Sequence, residues 1–198
     1  MACAPRSPVS RIRSPMPRLL RLLLTVSVLA LAVAGCGRGE GVKTTAETEG
    51  LYLDIAGLKY QVQLSRYLNP ANIEDRDLLA DLPEGTVEPG PDETWFGVWV
   101  RVENTSDEPR EAADTWEIHD TQENVYRPVP NDSVFAFEPG VVPPDTIIPL
   151  ADSAAGLGPV QGSLLLFKVK VDSLQNRPLE LIFSNGPQGE TGTYALDV

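Results

Sequence analysis

An all-β domain behind an export leader is the fold class this sequence predicts, and three observations predict it. Run after run of the 198 residues alternates apolar and polar side chains with period two, the pattern of half-buried strands. Clusters of Gly, Pro, Asn and Asp stand between those runs and cut the chain into short strands rather than long helices. Finally, Val33-Ala34-Gly35-Cys36 closes a basic-then-apolar opening and begins a polar, acidic body.

The opening comes first. Arg6, Arg11, Arg13, Arg18 and Arg21 form a positive region without an acid, and the 13 residues from Leu22 to Ala34 are apolar except Thr25 and Ser27. A charged start, a short apolar core and a small-residue exit make a secretory signal peptide over residues 1–35. The apolar run falls short of the roughly 20 residues a retained spanning helix needs. Met16-Pro17-Arg18 would make a sufficient positive region by itself, so translation from Met16 is an alternative to Met1. The four residues ending in Cys36 resemble the lipobox of bacterial lipoproteins. That resemblance implies acylation of Cys36, with palmitate-type chains, and an anchor in the membrane. Two or more chains hold stably where one would be marginal.

Residues 36–49, with Gly37, Gly39 and Gly41 followed by polar residues, carry no apolar periodicity and are expected to be a flexible linker. The folded domain is expected over 50–198, a length suited to one domain. The leader holds five of the 16 basic residues and none of the 28 acids, which leaves the body 11 basic against 28 acidic residues, a net −17. That balance excludes nucleic acid as a partner and favours solubility, attraction for cations or a basic protein. The two cysteines are Cys3 and Cys36, so the exported domain contains no disulfide, no four-cysteine zinc site and no cysteine nucleophile. An apolar core alone must hold it.

Within the body, Leu53 and Ile55 alternate with Tyr52 and Asp54, then Tyr60, Val62 and Leu64 alternate with Gln61 and Gln63. Gly57 between them predicts a hairpin. Asn69-Pro70 predicts a capped short helix over 70–80. Pro83, Gly85, Pro89, Gly90 and Pro91 then make a long loop crowded with acids, from Glu74 to Glu93. These lack the spacing of a calcium loop and are expected to form a solvated face. Thr94–Asn104 is the strongest strand: Phe96, Val98, Val100 and Val102 share one face, and Trp95, Gly97, Trp99, Arg101 and Glu103 the other. Apolar residues on both faces predict a central strand. Trp116 and Ile118 mark the next strand, a turn over 120–124 follows, and Val125-Tyr126 resumes.

Trp99 to Pro109, then Trp116-Glu117-Ile118-His119-Asp120 and Tyr126, resemble the DUF4352-like family of exported bacterial proteins. The resemblance implies an immunoglobulin-like β-sandwich and no catalytic residues. Where the family has Gly in the 120–124 turn, this chain has Gln122-Glu123-Asn124, of which Asn124 can tolerate a left-handed turn. Residues 131–159 predict short edge strands around Val134-Phe135 and Ile147-Ile148. Strands over 163–171, 179–183 and 194–198 complete the sandwich, which is expected to carry long Pro/Gly loops and one short helix.

Candidate chemistry is sparse. His119 is the sole histidine and shares a strand face with Glu117, one short of a metal-ligand set. No nucleophile elbow, phosphate loop or dinucleotide fingerprint occurs. Trp95, Trp99 and Trp116 suit cross-strand packing or an aromatic binding face. The expectation is a non-enzymatic, lipid-anchored, extracytoplasmic module, monomeric, without cofactor or metal, with an envelope protein as its possible partner. A solute- or metal-binding lipoprotein is the alternative. The leader fits the outer face of a Gram-positive cell membrane and a Gram-negative outer membrane equally.

Overall fold

Alternation along the strands becomes two sheets with one apolar layer between them. The computed structural model describes residues 43–186 and 189–197. The leader, Cys36 and the choice between Met1 and Met16 lie outside these. The strands are β1 (Thr45–Ala46), β2 (Tyr52–Ile55), β3 (Leu58–Leu68), β4 (Glu93–Asn104), β5 (Arg110–Glu111), β6 (Thr115–His119), β7 (Val125–Tyr126), β8 (Val141–Val142), β9 (Thr146–Ile148), β10 (Ser163–Lys170), β11 (Leu179–Ser184) and β12 (Thr191–Leu196). One sheet has the order β1-β12-β11-β6-β7. The other runs β10-β4-β3-β2, with β9 also paired to β4, and β5 and β8 form a small separate ribbon. The predicted all-β sandwich is the observed fold.

The strongest predicted strand is the central one. β4 pairs antiparallel with β10 and β3 on its two sides. Its Phe96, Val98, Val100 and Val102 are all buried and meet Trp116, Ile118, Leu181, Phe183 and Tyr194 of the facing sheet. Phe183 stacks on Trp116 with ring centroids 4.7 Å apart, and Tyr60 tilts onto Phe183 at the same distance. Aromatic contacts of this kind add about 0.5–1.5 kcal/mol beyond area burial. Tyr60 brings a hydroxyl into this layer that accepts the Ala113 N–H at 2.8 Å, and burial pushes its pKa up to about 12.

The hairpin forms as predicted, turning through Ala56 and Gly57 at φ 52° and 78°, where glycine suits the second position. The faces of β3 do not alternate throughout. A bulge between Val62 and Leu64 shifts the register, so Val62 stays opposite Val100 inside while Leu64 lies opposite Trp99 on the outer face.

Several expectations are corrected. Residues 43–49 are not linker: Ala46 is buried in the main core, β1 pairs parallel with β12, and the Glu49 carboxylate accepts from Ser65 N and Oγ and from Asp197 N. The domain thus begins near Lys43 rather than residue 50, because an alanine and a carboxylate in a polar stretch each find a partner remote in sequence. The helix is α1, Ile73–Leu78, capped by Asn72. Asn69 is engaged elsewhere, its side chain accepting from Ala71 N and its N–H bonding Asp75. A second short helix, α2 (Ala154–Leu157), is capped by Ser153, and a 3-10 turn follows β10 at Val171–Gln175. Val134-Phe135 forms no strand; Ser133–Ala136 closes as a turn. In the 120–124 turn Glu123, not Asn124, has positive φ, because both Asn124 amides are held by Asp120. β12 also starts three residues earlier than expected, at Thr191.

The chain enters at one end of the sandwich, where Lys43 O accepts from Asp54 N and Thr44 O from Thr193 N. The opposite end carries α1, the acidic loop and the 120–124 turn. A chain starting at Gly50 is expected to lose about 2–4 kcal/mol of stability relative to one starting at Lys43, from lost hydrogen bonds and the exposed core beneath Ala46. Urea melts of the two compare them directly, and coincident curves would return residues 43–49 to the linker.

Candidate functional site

The outer face of the β10-β4-β3-β2 sheet is where the sequence and the structure together build recesses. Its strands carry a second, smaller core of Leu68, Trp95, Trp99, Leu164 and Leu166, covered by Leu78 and Leu79 from the end of α1 and by Val129, Phe135 and Val160 from the long connections. The cover is incomplete. A groove of ≈ 320 Å³ opens between Trp99, Phe135, Leu78 and Val160, with Glu74 and Asp77 among its lining residues. Arg66 lies over the Trp99 ring at 5.2 Å and bonds Asp75 at 2.6 Å. Burial alone would raise the Asp75 carboxyl; the Arg66 guanidinium and the Asn69 N–H outweigh it and hold that group below the usual carboxylate range. Toward the other end of β4, a pocket of ≈ 210 Å³ surrounds Arg101, with Ile147, Pro149 and Leu157 as apolar lining and Gln161 beside them. A recess lined by Gln63, Leu64 and residues 159–161 shares Gln161 with that pocket and Pro159 and Val160 with the groove, so the three form one band across the sheet.

The residues singled out from sequence fall elsewhere. His119 Nε2 lies 2.9 Å from Glu117, and Glu117 also holds Arg127 at 2.7 Å. The hydrogen bond from His119, opposed by burial and aided by Arg127, keeps the Glu117 carboxyl below its ordinary value. The cluster has two ligand-type side chains, and no group of three His, Cys, Asp or Glu that could hold a metal occurs among the described residues. Trp95, Trp99 and Trp116 are each at least 95% buried, which makes them packing residues rather than an aromatic platform. The acidic stretch is not wholly a solvated face. Glu88 accepts from the Trp95 indole at 3.2 Å, Glu93 accepts from Gly90 N at 3.0 Å, and Asp75 is buried.

The conspicuous polar groups of the quoted strand-and-turn pattern are structural. Asn104 is fully buried; its amide donates to Glu108 O and Val142 O, and its oxygen accepts from Ser106. Asp120 accepts from Gln122 N and Asn124 N at 2.9 Å, from the Asn124 side chain at 2.8 Å and from Ser173 Oγ at 2.6 Å. Burial would raise its pKa, but the Ser173 and Asn124 bonds prevail and depress it far below the carboxylate range. Sequence reasoning missed Arg101 as a site residue. Its only signal was a cation on a strand face otherwise formed by Trp95, Gly97 and Trp99, and its pocket is closed by residues more than 40 positions away.

The fold is similar to that of the yjhA protein of Bacillus subtilis, with a TM-score of 0.51 at 9% identity over 76% of this chain and 99% of that one. Weaker likeness extends to a candidate lipoprotein, ycdA, of Bacillus subtilis subsp. subtilis strain 168, with a TM-score of 0.46 at 16% identity over 75% of this chain and 38% of that one. A β-sandwich protein of Clostridium difficile 630 gives 0.41 at 9% identity, over 75% and 93%. No family model matches the chain, the DUF4352-like family included, and no curated protein matches it. At these identities the likeness concerns the fold.

Proposed function

We propose that this chain is a lipid-anchored, extracytoplasmic, non-enzymatic binding module, held at Cys36 and using the outer face of the β10-β4-β3-β2 sheet. The observation that carries the anchor is the coincidence of a basic, apolar leader with a small-residue exit and the cysteine that follows it. Lys43 lies seven positions after Cys36. A chain of that length spans at most about 25 Å when fully extended. Acylation at Cys36 therefore tethers the domain through Lys43. No described helix is long and apolar enough to cross a membrane. The net −17 of the body keeps the domain off anionic lipid beyond its tether.

The non-enzymatic part rests on the site. The one histidine is engaged with Glu117, and the two recesses that share Gln161 are lined by apolar groups, amides and Arg101. Recesses with this lining suit the binding of a small ligand. The module works as a monomer on the outer face of the membrane that carries it. Of the two ligand classes open to a lipoprotein of this type, the Arg101 pocket favours a small solute.

Fractionation of the host tests the anchor. Wild-type protein is expected in the detergent phase at mature size, and Cys36→Ala protein either uncleaved or released to the aqueous phase. A Cys36→Ala protein at mature size that still partitions wholly into detergent would overturn the reading.

A further inference from the structure

We infer that the pocket around Arg101 is a binding site for a small carboxylate carried on an aliphatic body. This deepens the binding-module reading and rests on it, but not on the anchor. Arg101 is partly withdrawn from solvent, its Nε is buried without a hydrogen-bond partner, and no carboxylate pairs with it among the described residues. Among the other described arginines, Arg66, Arg110 and Arg127 have carboxylate partners, although Arg110 Nε is likewise buried without a hydrogen bond; Arg177 donates to a backbone carbonyl, and Arg76 is exposed. A domain with 28 acids has thus left one sheltered guanidinium unneutralised and aimed it into a recess with no acid in its lining. A guanidinium that lines a recess and has no paired carboxylate favours an anion there.

The walls narrow the class. Ile147, Pro149, Ala151 and Leu157 are apolar, and Leu157 stands 75% exposed at the rim, where an aliphatic group would cover it. Gln161 adds an amide donor beside the guanidinium. The enclosing loop is closely fitted: a side chain at Gly156 would put its Cβ 2.1 Å from Leu150 O, so the wall holds its shape only with glycine there. Sulfate or phosphate suits the site poorly. Each brings a second charge into the field of a strongly acidic protein and has nothing to place against the apolar wall. A monocarboxylate offers two oxygens to the guanidinium fork and an alkyl group to Leu157 and Ile147.

Such a carboxylate could be a free acid or the C-terminal end of a peptide, and the probes separate the two. Hexanoate and N-acetyl-leucine are titrated into full-length protein purified from its host, with hexanamide and N-acetyl-leucinamide as controls. Binding is followed by calorimetry and by the Arg101 Nε–H signal after arginine 15N labelling. At least one acid is expected to bind and to move that signal, with its amide weaker by about tenfold or more. Arg101→Gln is expected to weaken the acid by a similar factor, and Arg101→Lys by less. Preference for hexanoate points to a free acid, preference for N-acetyl-leucine to a chain end. The inference is overturned if neither acid binds at about 10 mM, if the amides bind equally well, or if the Nε–H signal stays still. The signal is read on wild-type protein, so a variant that misfolds does not spare the inference. Failure here with normal fractionation removes the pocket and leaves the anchor. Correct binding with failed fractionation does the reverse.

Discussion

Val100→Asp abolishes folding. Val100 is 1% exposed and sits in the middle of β4, opposite Val62 on one neighbour and Ser163 on the other. Its side chain points between the sheets, where an ionised carboxylate would have neither water nor a cation. An uncompensated buried charge costs several kcal/mol at least, against a typical total stability of about 5–15 kcal/mol. Neutralising the group by protonation lessens the cost but still leaves a polar group in an apolar layer. The same position cut to alanine should lose only about 1–3 kcal/mol and stay folded, since two missing methyl groups leave a small cavity. Circular dichroism and urea melts of the two variants make the comparison. A native strand signal and a cooperative melt from Val100→Asp would mean that the wrong face of β4 has been assigned to the core.

How far the fold was legible follows from where its determinants lie. β4 could be read because both its alternating faces and its flanking turns are local, and the Ala56-Gly57 hairpin for the same reason. β1 could not. Two residues, Thr45 and Ala46, show no periodicity, and what orders them is Tyr194 and Thr193 almost 150 positions later. The bulge at Gln63 hid in an unbroken alternation, since an extra residue in one strand is defined only by its partner. The second helix lay in a stretch dominated by Gly and Pro, with Ser153 as its one local signal. For the site the division is sharper. Arg101 is visible in the sequence as a charge on an apolar strand, but its lack of a partner and its pocket depend on residues 147–161 folding back over the sheet. The leader and Cys36 were legible as a pattern and belong to the proposal.

Asp120→Ala should be the most damaging polar substitution in the domain. Its carboxylate gathers two backbone N–H groups, the Asn124 amide and the Ser173 hydroxyl, which Tyr126 also contacts at 2.6 Å. It thereby joins the β6–β7 turn to the 3-10 turn after β10. Removing it strands several donors at once, at a cost on the order of 3–5 kcal/mol near neutral pH. Asp120→Asn keeps the shape and one acceptor but turns an amide N–H₂ toward donors that need an oxygen, so it should lose somewhat less. The charge gives the prediction a second arm. A carboxyl whose folded pKa is depressed stabilises the fold fully above the unfolded value near 3.9, and that contribution drains away as pH falls toward the folded value. Wild-type protein should therefore lose about 1.4 kcal/mol per pH unit from this group below about pH 4, while Asp120→Asn does not. The gap in melting temperature between the two should be wide at neutral pH and narrower near pH 3. An equal gap at both would show that the shape of the side chain, not its charge, holds the turn. In that case the Ser173 hydroxyl would be bonding a group that any acceptor could replace.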